Sequence, residues 1–243
     1  MCLIYYRNQR THLAPIDYSS LSTAMRQNPD GSGLATYANG KWHVSKSTLV
    51  TWAHFRDALQ EVSKYAEKIV VHFRYATAGK CNDDNCHPFK LAKNTYFAHN
   101  GIFQGIEEKN DRSDTRQVAD CMQALIEQGA SPSSAFALAR LMGDRNKLCL
   151  MLPSGKVQIC GDWESMPDGL YSNSSCLWSY DSTRYSQAYQ DDYSRYDDYN
   201  DNYRDTYDAE LWDEYINDDD AFAHWKERNG YDFPTFDKDD PTG

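Results

Sequence analysis

Apolar and polar positions follow two periods along roughly the first 175 residues, and each period predicts a set of elements. "CLIYY" at the head of the chain is a short strand-like run. "GLATYANGKWHVSKS" holds two such runs about Asn39-Gly40, a dipeptide suited to a two-residue hairpin turn. "KIVVHFRYAT" is a buried-strand run that ends in polar residues, and "NTYFAHNG" repeats that shape. "KLCLMLPSGKVQIC" reads as a hairpin about Ser154-Gly155. The helical period appears in "TWAHFRDALQEVSKYA", which puts Trp52, Phe55, Leu59 and Val62 on one face. "SSLSTAMRQ" predicts a helix with serine capping, and "RQVADCMQALIEQG" one that follows "SDT" and stops at Gly129. "SPSSAFALARLMG" predicts another, with Pro132 near its start. Strands grouped in hairpins and helices paired in sequence predict an α+β layered body rather than an alternating βαβ chain.

Charge divides the chain. The net charge is -11, yet residues 1–175 carry 19 Lys and Arg against 17 Asp and Glu, while residues 176–243 carry 6 against 19. A nearly neutral body lacks the basic stripe that nucleic acid requires. No apolar run reaches the ~18 residues of a membrane span, and "CLIYY" is too short for a signal sequence. Seven cysteines without framework spacing then read as reduced thiols, which predicts a soluble, cytoplasmic protein.

Several strand ends run into polar residues that carry chemistry. Cys2 directly follows the initiator methionine. With Met1 removed, one residue would hold a thiol and an α-amine of pKa ~7.7–8.0, a nucleophile and a base together. A buried strand cysteine is the plainer reading of that position. Arg74 in "HFRYATAG" suits bidentate capture of a carboxylate, or a surface ion pair. Asn100-Gly101 in "AHNGIF" offers an amide and a backbone N–H to an oxyanion, or forms only a turn. Asp114 in "RSDT" accepts from an ammonium, or caps a helix. Carboxylate, ammonium and amide carbonyl together describe glutamine.

Cys2, "HFRYATAG", "CHPF", "HNGIF" and "SDT", in that order, resemble the class II glutamine amidotransferase domain, an N-terminal-nucleophile glutaminase. The resemblance runs over residues 2–175 and includes "GLYSNSS" (169–175), similar to the end of such domains. It implies a four-layer αββα sandwich of the Ntn-hydrolase type. It also implies Cys2 as nucleophile, Asn100 and Gly101 as the oxyanion hole, Arg74 and Thr77 at the glutamine carboxylate, and Asp114 at its ammonium. His87 and His99 would support and orient the site. No metal and no cofactor is implied. Four positions depart from the family pattern: Leu3 where glycine is common, Tyr75 for tryptophan, Ala78 for histidine and Arg116 for an acidic residue. Cys81 and Cys86-His87 lack the second pair a zinc site requires, and read as a loop.

Residues 176–243 form an acidic tail after this domain. Tyr185, Tyr189, Tyr193, Tyr196, Tyr199, Tyr203 and Tyr207 recur every three or four positions, one stripe of a helix if it folds and a disordered tract if not. Trp212, Phe222 and Trp225 read as docking anchors. A glutaminase followed only by such a tail implies a separate ligase or synthase as the acceptor of ammonia. Two alternatives stand beside that reading: an Ntn amidohydrolase on another γ-glutamyl or amide substrate, and a non-catalytic binding module acting through the tail.

Overall fold

The apolar run behind Cys2 forms strand β1 (Leu3–Asn8), and both of its edges are paired. On one side lies β4 (Lys68–Phe73) with Leu3 opposite Phe73, and on the other β10 (Gly169–Tyr171) with Tyr5 opposite Tyr171. Strands β2 (Ser32–Ala38), β3 (Lys41–Ser47) and β9 (Glu164–Met166) complete a six-stranded sheet in the order β3-β2-β4-β1-β10-β9. A second sheet runs in chain order through β5 (Phe89–Ala92), β6 (Thr95–Asn100), β7 (Lys147–Met151) and β8 (Val157–Cys160). The computed structural model describes residues 2–177 apart from residues 108 and 144. The tyrosine stripe and the tryptophan and phenylalanine anchors of the tail lie outside the described residues.

Side-chain alternation along the strands sorts the core into layers. Ile4, Ala35 and Val70 of the first sheet meet Ala98, Cys149 and Met151 of the second, so the two sheets pack face to face. The intervening positions, Leu3 and Tyr5 among them, point to the opposite face of the first sheet and are fully buried. Helix α2 (Trp52–Val62), with α1 (Tyr18–Gln27) beside it, covers that face, and the Phe55 ring lies 5.0 Å from that of Phe73. Helices α3 (Asp114–Glu127) and α4 (Pro132–Arg140) cover the second sheet through Val118, Met122 and Phe136 against Phe97, Leu148 and Leu150. The result is the αββα sandwich that the resemblance implied, and it agrees with the α+β layers read from the residue pattern. A buried Leu, Ile or Phe side chain contributes about 1.5–3 kcal/mol and a helix cap about 1. The three apolar layers therefore hold the strand ends in place.

The helices fall where their periods put them, but the caps differ in one case. Asp17, not a serine, caps α1, its carboxylate accepting from the Ser19 and Ser20 N–H groups at 3.0 Å. Ser113 caps α3, so Asp114 is the first residue inside the helix. Asn39 and Gly40 both have positive φ, as the hairpin turn requires. Strands β5, β9 and β10, of three or four residues each, are not predicted by the apolar pattern.

Candidate active site

Cys2 and Arg74 extend the paired strands by one position. The β1–β4 ladder ends with Leu3 opposite Phe73, and its register continued by one position sets Cys2 toward Arg74. The Tyr75 N–H donates to Cys2 Sγ at 3.3 Å, and the thiol lies 3.4 Å from the Tyr75 carbonyl. Alternation turns Cys2 toward the second sheet, on the face of Ile4. Burial pushes the thiol pKa up, while the Tyr75 contact and the Arg74 charge pull against it. The thiol is therefore protonated at neutral pH and needs a base to react.

Arg74 is buried at 3% exposure. One guanidinium nitrogen, Nη2, donates to the Ala78 carbonyl at 2.9 Å. The other, Nη1, is buried with no hydrogen-bond partner among the described residues. A buried charged donor left unpaired is costly, so this nitrogen favours an anionic acceptor. The backbone beneath it is fixed by Arg74 N–H to the Gly31 carbonyl at 2.7 Å, and by Ala76 N–H to the Asp30 carboxylate at 2.7 Å.

Asn100 ends β6 and is buried. Its Nδ2 donates to Ser172 Oγ at 2.8 Å, and the same oxygen accepts from the Ile4 N–H at 2.8 Å. An amide nitrogen carries two hydrogens, so the second remains for another acceptor. Gly101 adopts φ 147°, a left-handed region that disfavours side chains. A Cβ there would lie 2.3 Å from Asn146 Oδ1, which accepts from the Ile102 N–H at 3.2 Å. The Asn-Gly pair is thus a close-packed strand end, not a free turn.

Asp114 joins this segment to α3. Its Oδ2 accepts from the Phe103 N–H at 2.7 Å and its Oδ1 from the Thr115 N–H at 2.7 Å. His99 is buried, with Nδ1 2.7 Å from Thr115 Oγ1 and its ring stacked on Phe103 at 4.2 Å. His87 is also buried, its ring 3.9 Å from that of His72 and its Nδ1 accepting from the His99 N–H at 3.3 Å. Burial lowers all three imidazole pKa values, to about 3 for His72, about 4 for His99 and well below the usual value for His87. The cluster is neutral at pH 7. Thr77, in contrast, is exposed in the loop that follows Arg74. Among the described residues no group of three or more His, Cys, Asp or Glu has the spacing to hold a metal ion.

The candidate site thus gathers a strand-end cysteine held by the Tyr75 N–H, an adjoining arginine with an unpartnered buried nitrogen, and an Asn-Gly pair tied through Ser172 to the cysteine strand. Residues 7–121, which include Arg74, Asn100, Gly101 and Asp114, match the family model of class II glutamine amidotransferases. The matched stretch, residues 7–121, is a class II glutamine amidotransferase domain. Over 114 residues it is 31% identical to the amidophosphoribosyltransferase of Methanocaldococcus jannaschii, a stretch that is 44% of this chain and 24% of that protein. The structure of the allosteric regulatory enzyme of purine biosynthesis shares the fold at a TM-score of 0.50 and 18% identity, over 73% of this chain and 43% of that one. A glutamine phosphoribosylpyrophosphate amidotransferase from B. subtilis aligns at a TM-score of 0.47 and 15% identity, with the same coverage. The chain spans about a quarter of the length of the curated relative and under half of these solved chains.

Within the amidotransferase domain, the four departures from the family pattern have definite surroundings. Leu3 is fully buried on the α1–α2 side and does not crowd the thiol. Tyr75 is 47% exposed at the mouth of the site. Ala78 contributes its carbonyl to Arg74, which needs no side chain. Arg116 lies over the Phe89 ring at 5.3 Å and pairs with Asp120 at 3.2 Å. The sequence reading passed over Ser172, Asn173 and Asn146. The first two stood in "GLYSNSS", an apolar run ending in polar residues, the same signal that marked Arg74 and Asn100. Asn146 stands alone before β7 and carried no such signal. Cys176 is buried one residue past the expected domain boundary.

Proposed function

We propose that the domain hydrolyses the side-chain amide of glutamine through Cys2 and delivers the ammonia to a separate ligase or synthase. The observation that carries this reading is the buried, unpartnered Nη1 of Arg74, the residue next to the Tyr75 whose N–H donates to the Cys2 thiol. Arg74 takes the glutamine α-carboxylate, and Asp114, through the acceptor capacity left on its carboxylate, takes the α-ammonium. Thr77 closes over the carboxylate from the loop. His87 and His99, held neutral by burial, orient the Asn100 segment and move no proton.

The reaction needs Met1 removed, so that Cys2 carries a free α-amine. The amine takes the thiol proton, which overcomes the raised thiol pKa. The thiolate attacks the amide carbon, and the charge on its oxygen is met by the second Nδ2 hydrogen of Asn100 and the Gly101 N–H. The ammonium returns its proton to the departing nitrogen, releasing ammonia and leaving a γ-glutamyl thioester on Cys2. Water, deprotonated by the same amine, attacks the thioester and yields glutamate and the free thiol. Residues 176–243, with their 19 acidic against 6 basic side chains, would meet a basic surface on the acceptor enzyme. The test is release of glutamate and ammonia from L-glutamine by purified protein. Equal activity in Cys2→Ser, or none in the unmodified sequence, would reject the reading.

A further inference from the structure

We propose that Ser172 and Asn173 are positioning residues that hold the nucleophile strand and the Asn100 amide in one frame. The catalytic consequence rests on the glutaminase reading above. Backbone pairing of β10 with β1 covers Tyr5 with Tyr171 and Tyr6 with Leu170. Toward Cys2, one more backbone bond follows, Ser172 N–H to the Ile4 carbonyl at 2.8 Å, and a side chain then takes over, with Ile4 N–H donating to Ser172 Oγ at 2.8 Å. Asn173 Nδ2 then donates to the Cys2 carbonyl at 2.7 Å. The Asn173 amide is itself oriented, because its Oδ1 accepts from the Ser175 N–H at 3.1 Å and the Ser175 hydroxyl at 2.6 Å.

Ser172 Oγ has room for two donors, and it accepts from Ile4 N–H and Asn100 Nδ2. The first belongs to the Cys2 strand in one sheet. The second is the amide at the end of β6 in the other. One fully buried hydroxyl therefore sets the distance between the nucleophile strand and the oxyanion amide. Without it, the Asn100 amide turns more freely about its last torsion and aims its free hydrogen less well. An oxyanion is present only after attack, so this aim affects turnover and not binding of glutamine.

The test combines kinetics with a readout that needs no turnover. Ser172→Ala should lower kcat roughly ten- to a hundredfold with little change in KM. In an Asn100→Ala background the same change should cost less than in the parent protein, since part of the effect of Ser172 passes through Asn100. Asn173→Ala should also lower kcat, by releasing the Cys2 carbonyl. Normal kcat in Ser172→Ala, a loss confined to KM, or full additivity with Asn100→Ala overturns the proposal. Exchange of the Asn100 side-chain amide protons, followed by NMR, decides the clamp separately. One proton should be protected in the parent protein and lose that protection in Ser172→Ala, and equal exchange in both overturns the clamp. If the parent protein turns over no glutamine, the glutaminase reading fails and this exchange result still judges the clamp. Should Ser172→Ala not fold, Ser172→Cys replaces it in both measurements, with a thiol that is a weak acceptor.

Discussion

The Tyr75 N–H donates to Cys2 Sγ at 3.3 Å, which places the thiol one residue from Arg74 across two paired strands. The proposed nucleophile and the proposed carboxylate clamp are thus fixed by the same ladder. Arg74→Lys keeps the charge and loses the planar fork. It should raise the KM for glutamine about ten- to a hundredfold, as expected for a lost charge-assisted bond of ~1.5–3 kcal/mol. Steady-state kinetics against glutamine concentration measure this. An unchanged KM would make Arg74 a purely structural residue.

Asn100→Ala removes an oxyanion donor and should lower kcat by roughly 10²–10³ with KM little altered. The buried Asn100 also bonds Ser172, so a thermal melt should accompany the kinetics. A change confined to KM would contradict the assigned role.

The histidine cluster predicts a pH dependence of stability. His72, His87 and His99 all have pKa values lowered by burial in the folded protein. An unfolded histidine titrates near ~6.5, so below that pH the unfolded chain binds protons that the folded one refuses. Stability should hold above that value and fall as pH drops from it, by up to ~1.4 kcal/mol per pH unit for each histidine. The fall from His99 should end near its folded value of about 4, and that from His72 near about 3. Urea unfolding between pH 7.5 and 4.5 measures the slope. His72→Phe should flatten it, and an unchanged slope in that variant would argue against the buried neutral imidazole.

Gly33→Ala tests the packing behind the site. A Cβ at Gly33 would stand 1.8 Å from the His87 carbonyl oxygen, a backbone atom that cannot turn aside. The change should cost about 1–3 kcal/mol, and roughly 2–4 °C in Tm for each. A wild-type melting temperature would contradict this close approach.

The sequence foretold the elements whose apolar period runs long enough to register, and the chemistry that sits at their ends. Trp52, Phe55, Leu59 and Val62 announced α2, and Asn39-Gly40 announced its hairpin. Arg74 and Asn100 stood out because a polar residue ends an apolar run. Other features depended on tertiary proximity. Leu3 stands beside Cys2 where the family commonly has glycine, and strand alternation turns it to the other face of the sheet. Ser172 meets Asn100 across 72 positions, and no local pattern encodes that contact. Asn146 backs Gly101 from a loop with no periodicity. Asp17 displaced the expected serine cap because an aspartate in that position accepts from two N–H groups at once.

Removal of the tail should leave the site intact. Cys176 is buried, so the cut belongs after residue 177, not at 175. Chain 1–177 should keep glutaminase activity within a few-fold, because every proposed site residue precedes the cut. A loss of activity comparable to Cys2→Ser would assign residues 178–243 a part in the site itself.

The central claim is that Cys2 acts as an N-terminal nucleophile. Intact-mass spectrometry of the purified protein, with glutamate release measured on the same sample, tests it most directly. The account predicts a chain lacking Met1 that hydrolyses glutamine, and no hydrolysis by a form in which Met1 is retained. Equal glutamine hydrolysis by the Met1-bearing chain would contradict it.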